Sequence, residues 1–330
     1  MPNILLVGNG AREHAIAEAV VRSHRHPRLF AYMKTNNPGI ADLSVGIRQG
    51  GYGDREDIVD FARSAAVDFA IIGPEDPLNA GVVDALQEAG IPAVGPTQSL
   101  ARLETSKSFT RKLLDKYGIP GNARFRVFSS MSGVAEFLGE LAAAVVKPDG
   151  LTGGKGVMVQ GDHFQTREEA LELCRLILQE HDRVIVEEKL SGEEFSLQCL
   201  TDGTHVVATP PVQDHKRRFV DDKGPNTGGM GSYSCEDHLL PFLRETEVLA
   251  GLEITRQVAA AIRRETGQPY RGVMYGGFMI TGGGLRLLEY NARFGDPEAM
   301  NILPLLETDF VDLCRAIIDG TLDRLPVTFA

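Results

Sequence analysis

The chain has 330 residues, 43% of them hydrophobic, which is enough for two domains or several packed subdomains. Its 45 acidic residues outnumber the 34 lysines and arginines, and the net charge of −11 argues against nucleic-acid and membrane-surface partners. The widely spaced cysteines follow no metal-ligand pattern, and no apolar run approaches the roughly 20 residues that span a bilayer. These features predict a cytoplasmic protein.

The first hundred residues alternate short apolar strands with helices. Strands are expected at residues 4–7, 29–33, 69–72 and 92–96. Helices are expected from about residue 12, over 54–65 and over 82–88. Asp54 is a suitable N-cap, and Gly90 is a suitable stop for the last of these helices. This alternation predicts a parallel sheet, with the best domain boundary near residues 96–104.

Beyond that boundary the regular alternation gives way to a mixture of helices and hairpins. Helices are expected at residues 106–117, 134–141, 167–178, 249–264 and 310–319. Strands are expected at residues 144–147, 183–188, 195–200, 205–209, 273–281 and 285–290. Thr166 and Glu169 match a capping box at the start of one helix. The pattern predicts an α+β region from residue 104 onward.

A glycine-containing turn, Gly8-Asn9-Gly10, follows the first strand and opens the first helix. Glycines there allow an anion to approach the backbone and the helix N-terminus. A dinucleotide-binding fingerprint is excluded, because Glu13 stands where its third glycine is needed and no acid follows the second strand. A phosphate site and a plain tight turn both remain open.

A sharper signal is the lysine- and glycine-rich segment 147–157. A strand delivers Lys147, and the segment then contains four glycines and Lys155, so it can fold over phosphates. It is not a P-loop, because Gly156 follows Lys155 where that motif needs serine or threonine. The alternative is a flexible hairpin turn.

Two further polar segments are candidates for ligand binding. Residues 187–194 place acids at a strand end and after a turn, where they suit an amine or the hydroxyls of adenosine, although a solvated strand end is the commoner case. Residues 213–217 and 225–231 form one polar, glycine-rich stretch, in which Lys216 and Arg217 could hold a phosphate or carboxylate.

The segment 287–298 carries the most informative pattern. If it is a strand, Glu289, Asn291 and Arg293 share one face. A carboxylate and an amide oxygen in this register suit Mg²⁺, and an arginine beside them suits a phosphoryl or carboxylate group. The alternative is a surface strand with a polar face, but the flanking leucines favour an interior strand.

Taken together, these segments resemble the ATP-grasp superfamily and, within it, the phosphoribosylamine–glycine ligases. The resemblance covers essentially the whole chain, and its most specific motifs are residues 8–10, 12–14, 73–75, 153–157, 213–217, 224–231 and 291–298. It implies ATP-dependent ligation of glycine to 5-phosphoribosylamine through glycyl phosphate. It also implies a Rossmann-like domain over residues 1–103 and an ATP-grasp domain over 104–330, with a mobile lid at about 120–190.

The resemblance also implies roles for individual residues. Nucleotide contacts are implied for Lys107, Lys147, Gly153, Gly154, Gly156, Glu187, Leu190 and Glu194. Substrate contacts are implied for Gly8, Gly10, Asp214, Lys216, Arg217, Asn226 and Arg293. Glu289 and Asn291 are the implied ligands of Mg²⁺ or Mn²⁺, and Arg293 and Lys155 are the implied catalytic residues.

The chain departs from the superfamily in two respects. Many ATP-grasp enzymes carry a second metal-binding carboxylate on the preceding strand, but residues 275–279 contain none, a gap that the glycine ligases share. The family also continues for roughly another domain beyond Ala330. Alternatives are another ATP-grasp carboxylate–amine ligase or carboxylase, and a nucleotide-binding module without activity. A monomer is the expected state.

Overall fold

The structure is a computed structural model that describes residues 1–151, 156–220 and 223–330. Its first third alternates strands and helices. In chain order these elements are β1 (Asn3–Val7), α1 (Ala11–Val21), β2 (Arg28–Met33), α2 (Pro38–Leu43), β3 (Gly46–Gln49), α3 (Arg55–Ser64), β4 (Phe69–Ile72), α4 (Glu75–Asn79), α5 (Val82–Glu88), β5 (Ala93–Val94), α6 (Arg102–Thr105) and α7 (Lys107–Lys116).

The strands of this first region form one sheet in the order β3-β2-β1-β4-β5, and every pair is parallel. The predicted parallel sheet is therefore confirmed. The edge strand β3 was not predicted, because its alternating half-buried and exposed residues include no continuous apolar run. Helices α2 and α4 were also missed, since six and five residues are too short to show a helical period.

A second, smaller layer follows α7. Its elements are β6 (Phe125–Phe128), α8 (Val134–Gly139), β7 (Ala144–Pro148), β8 (Met158–Val159), α9 (Arg167–Glu180) and β9 (Val184–Glu188). The strands form an antiparallel sheet in the order β6-β9-β7-β8, and α8 and α9 cover it. A separate hydrophobic cluster that includes Phe137, Val146 and Cys174 gives this unit its own core. The predicted capping box at Thr166 and Glu169 is confirmed.

The remaining chain builds a second antiparallel sheet and packs back on the first domain. Its elements are β10 (Gly192–Thr201), β11 (Val206–Ala208), β12 (Gln213–Asp214), β13 (Arg217–Phe219), β14 (Lys223–Asn226), β15 (Ser232–Tyr233), α10 (Glu245–Thr266), β16 (Gly272–Thr281), β17 (Gly284–Asn291), α11 (Glu298–Leu305), α12 (Phe310–Asp319) and a 3-10 turn (Leu322–Arg324). Helix α11 was not predicted. Within the described ranges, no helix has both the length and the apolar character needed to cross a bilayer.

The main antiparallel sheet has the order β11-β10-β16-β17, and α10 packs on it. The pairing of β16 with β17 shifts register between Gly277, opposite Glu289, and Phe278, opposite Leu287. Leu288 is thus an extra residue, which makes a β-bulge immediately before Glu289. Bulges bend a strand and redirect its side chains.

The hydrophobic core is continuous from the first domain into the rest of the chain. On one face of the parallel sheet, Ile4 and Leu6 belong to a cluster that includes Phe310 and Ile317 of α12. On the other face, Leu5 and Val7 share a cluster with side chains of β10 and α10. The first domain therefore completes its core with residues from β10, α10 and α12, all of which come later in the chain.

Candidate active site

Two lysines and a buried carboxylate lie where the smaller sheet meets α7. Lys147 on β7 donates to Glu187 Oε2 at 2.7 Å, and Arg111 on α7 contacts both oxygens of Glu187 at 2.7 and 2.9 Å. Burial alone would raise the pKa of Glu187, but the two cations outweigh it and hold the pKa at about 2. Glu187 is therefore ionised, and both of its oxygens are engaged within the protein.

Lys107 begins α7, and Ser106 is the N-cap of that helix. The Lys107 ammonium donates to the Gly150 carbonyl at 2.6 Å, at the start of the glycine-rich loop. Burial lowers the pKa of Lys107, and the group interacts electrostatically with Glu289, favourably, and with Lys147, unfavourably. The charges of the two lysines and of Glu289 are thus close enough to influence one another, a grouping that suits a bound polyanion with a cation.

Strand β17 packs against α7 and borders the region between β7, α7 and β17, here termed the cleft. Glu289 is exposed and Asn291 is half-buried, two residues apart and beyond the bulge. The Asn291 side-chain oxygen accepts a 3.4 Å bond from Arg293 Nη2, so these two groups are adjacent. A carboxylate and an amide oxygen that line a cleft are ligands that Mg²⁺ accepts.

Arg293 lies between two carboxylates from earlier parts of the chain. Its Nε contacts Glu75 Oε2 at 3.1 Å, and its Nη2 contacts Glu104 Oε1 at 2.9 Å. Burial raises the pKa of Glu104 in spite of Arg293, whereas Arg293 and Arg12 overcome burial and lower the pKa of Glu75. The guanidinium is held in a fixed position beside Asn291, where it can stabilise a developing negative charge.

The loop that contains Gly8 and Gly10 packs against Glu13 of α1, the helix that follows it. The Gly10 amide donates to Glu13 Oε2 at 2.6 Å, and a Cβ atom on Gly8 would lie 2.3 Å from Glu13 Cγ. Packing around a buried carboxylate therefore accounts for Gly8, and the helix N-terminus is already partly neutralised. The Phe294 carbonyl accepts from Arg12 at 3.1 Å, which ties this loop to the segment after β17.

Replacement of Gly8 by alanine is expected to destabilise the protein by about 2–3 kcal/mol, because the new methyl overlaps Glu13 and φ is +142°. Urea unfolding would measure the loss. Gly51→Ala is the matched control, since nothing lies within 4 Å of its added Cβ, and it should be close to neutral. Equal stabilities for the two variants would contradict the packing argument.

A group of acidic side chains surrounds Lys216, close to Glu289. Lys216 contacts Glu194 at 3.4 Å and Asp214 at 3.6 Å, and its ammonium also interacts with Glu289 and Glu298. Burial raises the pKa of Glu298, and the nearby Asp214 carboxylate adds to the effect. Tyr275 donates to Glu298 at 2.8 Å. Buried carboxylates of this kind suit a positively charged amine.

The other predicted site residues belong to neighbouring strands and loops or lie outside the described residues. Arg217 pairs with Asp162 of the smaller sheet unit at 2.8 Å, and Asn226 lies opposite Arg217 on the small β13–β14 ladder. Leu190 is half-buried between β9 and β10, and Gly156 begins the described part after the gap. Gly153, Gly154 and Lys155 lie outside the described residues.

Four residues of the site were not singled out from the sequence. Glu75 and Glu298 lie within the motifs of residues 73–75 and 291–298, so the motifs themselves could have identified them. Glu104 and Arg111 carried no local signal. Arg111 lies four residues after Lys107, on the same helix face, which is the one sequence feature that links it to the nucleotide side.

Two family models match the chain in succession. Residues 2–104 match the model described as "Phosphoribosylglycinamide synthetase, N domain". Residues 105–299 match the model described as "Phosphoribosylglycinamide synthetase, ATP-grasp (A) domain".

Curated relatives and solved structures agree with these models. The chain is 48% identical to a phosphoribosylamine–glycine ligase of Methanocella arvoryzae, over 99% of this chain and 75% of that protein. It is 49% identical to that of Methanothermobacter thermautotrophicus, over 97% and 73%. The crystal structure of the Thermotoga maritima phosphoribosylamine–glycine ligase matches with a TM-score of 0.79 and 29% identity, over 96% and 75%. The chain thus spans about three quarters of the length of these relatives.

A more distant structure shares the fold. The ADP complex of an N5-carboxyaminoimidazole ribonucleotide synthetase matches with a TM-score of 0.73 and 16% identity, over 99% of this chain and 78% of that one. At that identity the likeness concerns the fold alone.

Proposed function

The chain belongs to the phosphoribosylglycinamide synthetase family, and we propose that the cleft between β7, α7 and β17 is where it performs that family's reaction. The enzyme is an ATP-dependent ligase that joins glycine to 5-phosphoribosylamine in purine biosynthesis, giving glycinamide ribonucleotide, ADP and phosphate. The observation that carries the location is the set of contacts of Arg111 on α7. Arg111 contacts Glu187, which accepts from Lys147 on β7, and it also contacts the backbone of β17 immediately before Glu289.

The chemistry of the reaction explains why such groups are needed. A carboxylate is a poor acyl donor until one of its oxygens becomes a good leaving group, so glycine is first converted to glycyl phosphate, which the amine of phosphoribosylamine then attacks. Phosphoryl transfer depends mainly on positioning and on neutralisation of charge. Lys107, Lys147 and Arg293 provide both the positioning and the positive charge.

We assign the phosphates of ATP to Lys107 and Lys147. In this assignment Glu187 acts indirectly, because both of its oxygens are paired with Arg111 and Lys147, and it fixes the lysine that meets the phosphates. Leu190 and Glu194 remain our proposed contacts for adenine and ribose. The segment Gly153, Gly154, Lys155 and Gly156 is the proposed lid, which would exclude water from the acyl phosphate.

We propose that Glu289 and Asn291 hold Mg²⁺ or Mn²⁺. The donor set fits such an ion, because it offers a carboxylate oxygen and an amide oxygen two residues apart at the cleft. When bound there, the ion would neutralise phosphate charge. Arg293, held by Glu75 and Glu104, is the proposed stabiliser of the acyl phosphate.

We place the substrates next to the phosphate side. Both substrates carry an amine, which the acidic group of Asp214 and Glu298 suits by its charge, while Lys216 offers a cation to a carboxylate or phosphate. Gly8, Gly10, Arg217 and Asn226 remain proposed substrate contacts. A cytoplasmic location is also proposed, supported by four free cysteines, all within the described residues.

A coupled assay for ADP release tests the function. The 330-residue chain with ATP and Mg²⁺ should release ADP only when glycine and phosphoribosylamine are both present. Other acid and amine pairs should give rates lower by at least about tenfold, because a site that hydrogen-bonds its substrate rejects poorer partners. Release that is independent of glycine, or faster with another acid, would contradict the assignment.

A further inference from the structure

Arg111 is a buried arginine, 3% exposed, that touches three separate parts of the chain. Its Nε and Nη2 contact the two oxygens of Glu187, at 2.7 and 2.9 Å. Its Nη1 donates to the Leu287 carbonyl at 2.9 Å and to Asn122 Oδ1 at 3.2 Å, and its Nη2 donates to the Leu288 carbonyl at 2.9 Å. A guanidinium carries five N–H donors, so each of them has a partner here.

One side of this arrangement fixes Lys147. Glu187 Oε2 accepts from Lys147 at 2.7 Å and from Arg111 at 2.9 Å, so the two cations share one carboxylate oxygen. Because Arg111 grips both carboxylate oxygens, it sets the orientation of Glu187 and therefore the position of the lysine ammonium. An arginine fork defines such a geometry better than a single ammonium does.

The other side fixes the strand that carries Glu289. The carbonyls of Leu287 and Leu288 are consecutive in the chain, yet both accept from Arg111. In a regular strand consecutive carbonyls point in opposite directions, and the bulge at Leu288 is what allows both to meet one guanidinium. Glu289 is the next residue, so Arg111 holds the bend that directs its side chain.

We propose that Arg111 is a positioning residue that sets the spacing between the phosphate-binding Lys147 and the metal-binding Glu289. This inference rests on the function proposed for the cleft. Lys147 and Glu289 lie on strands of two different sheets, and the buried Arg111 side chain connects them.

Arg111→Lys tests the inference, because lysine keeps the charge but cannot span all of these partners. Binding of the fluorescent analogue trinitrophenyl-ATP is measured at equilibrium, first with EDTA and then with Mg²⁺, well below the unfolding temperature. We expect the affinity without metal to fall roughly tenfold, and the gain in affinity from Mg²⁺ to shrink by a similar factor. Wild-type values in both conditions would overturn the proposal, because a purely structural role would change only the unfolding temperature.

Two further variants keep the test decisive. Arg286→Lys is the control, since Arg286 lies on the same strand and donates to the Asn122 carbonyl at 2.9 Å, and it should bind like the wild type. If Arg111→Lys does not fold, Asn122→Ala removes one of the five acceptors without disturbing the buried charges. It should show the same pattern with a smaller amplitude, and unchanged binding in this variant would also overturn the proposal.

The same measurements separate this inference from the assigned function. Lack of glycine-dependent ADP release by the wild-type chain would count against the function. Normal wild-type turnover combined with unchanged nucleotide and Mg²⁺ responses in the variants would remove only the positioning role of Arg111.

Discussion

Glu289→Gln is expected to lower the turnover number by roughly a hundredfold or more, because a metal ion contributes several kcal/mol of charge stabilisation in phosphoryl transfer. Glutamine keeps the size of the side chain and removes its charge, so the fold should be unaffected at this exposed position. Nucleotide binding without metal should change much less, since Lys107 and Lys147 remain in place. Steady-state kinetics and equilibrium binding with EDTA measure the two effects.

The exposed Glu253 on α10 provides a matched control for this variant. It pairs with Arg256 at 3.9 Å and accepts a hydrogen bond from Gln257 at 3.0 Å, both on the same helix. Glu253→Gln removes the same charge outside the site and should leave turnover within about twofold of the wild type, as is typical of surface changes. A normal rate for Glu289→Gln would exclude Glu289 from the metal site.

Glu187→Gln is expected to destabilise the fold by about 3–5 kcal/mol, because it leaves two buried cations without their counter-charge. The carboxylate is 2% exposed and bonded to Arg111 and Lys147. Urea unfolding at neutral pH would show the loss as a lower midpoint with an unchanged slope. A midpoint equal to that of the wild type would mean that the ion cluster contributes little to stability.

The acid dependence of stability provides an independent check on the same residue. Folding lowers the pKa of Glu187 from 4.5 to about 2, so its contribution is present above pH 4.5 and is lost as the pH falls toward 2. The shift corresponds to about 3 kcal/mol by linkage. Unfolding midpoints measured from pH 5 to pH 2 should therefore fall more steeply for the wild type than for Glu187→Gln.

The sequence predicted the helices and strands that carry strong local signals. The continuous apolar run of β1, the Asp54 cap and the capping box at Thr166 are local signals, and the structure confirms all three. The short helices α2, α4 and α11 and the half-exposed strand β3 carry weak local signals, so tertiary packing decides them. The fold class followed because parallel alternation constrains topology strongly.

The residues of the candidate site likewise fall into two groups, those that the sequence predicts and those that it does not. Lys147, Glu289 and Asn291 stand in compact motifs, and their residue types point directly to phosphate and metal. Arg111 could not be found in this manner, because its partners Glu187 and Leu287 lie 76 and 176 residues away. The closure of the Gly8 loop by Glu13 likewise depends on a side-chain position that spacing does not specify.

The packing of α12 against β1 affects how the protein matures during synthesis. Ile4 and Leu6 are synthesised early, and the part of their cover that includes Phe310 and Ile317 is synthesised much later. At roughly 5–20 residues per second the early strand waits tens of seconds with part of one apolar face uncovered. The nascent chain is therefore expected to need shielding from aggregation until α12 has emerged, because the core of its first domain is incomplete before then.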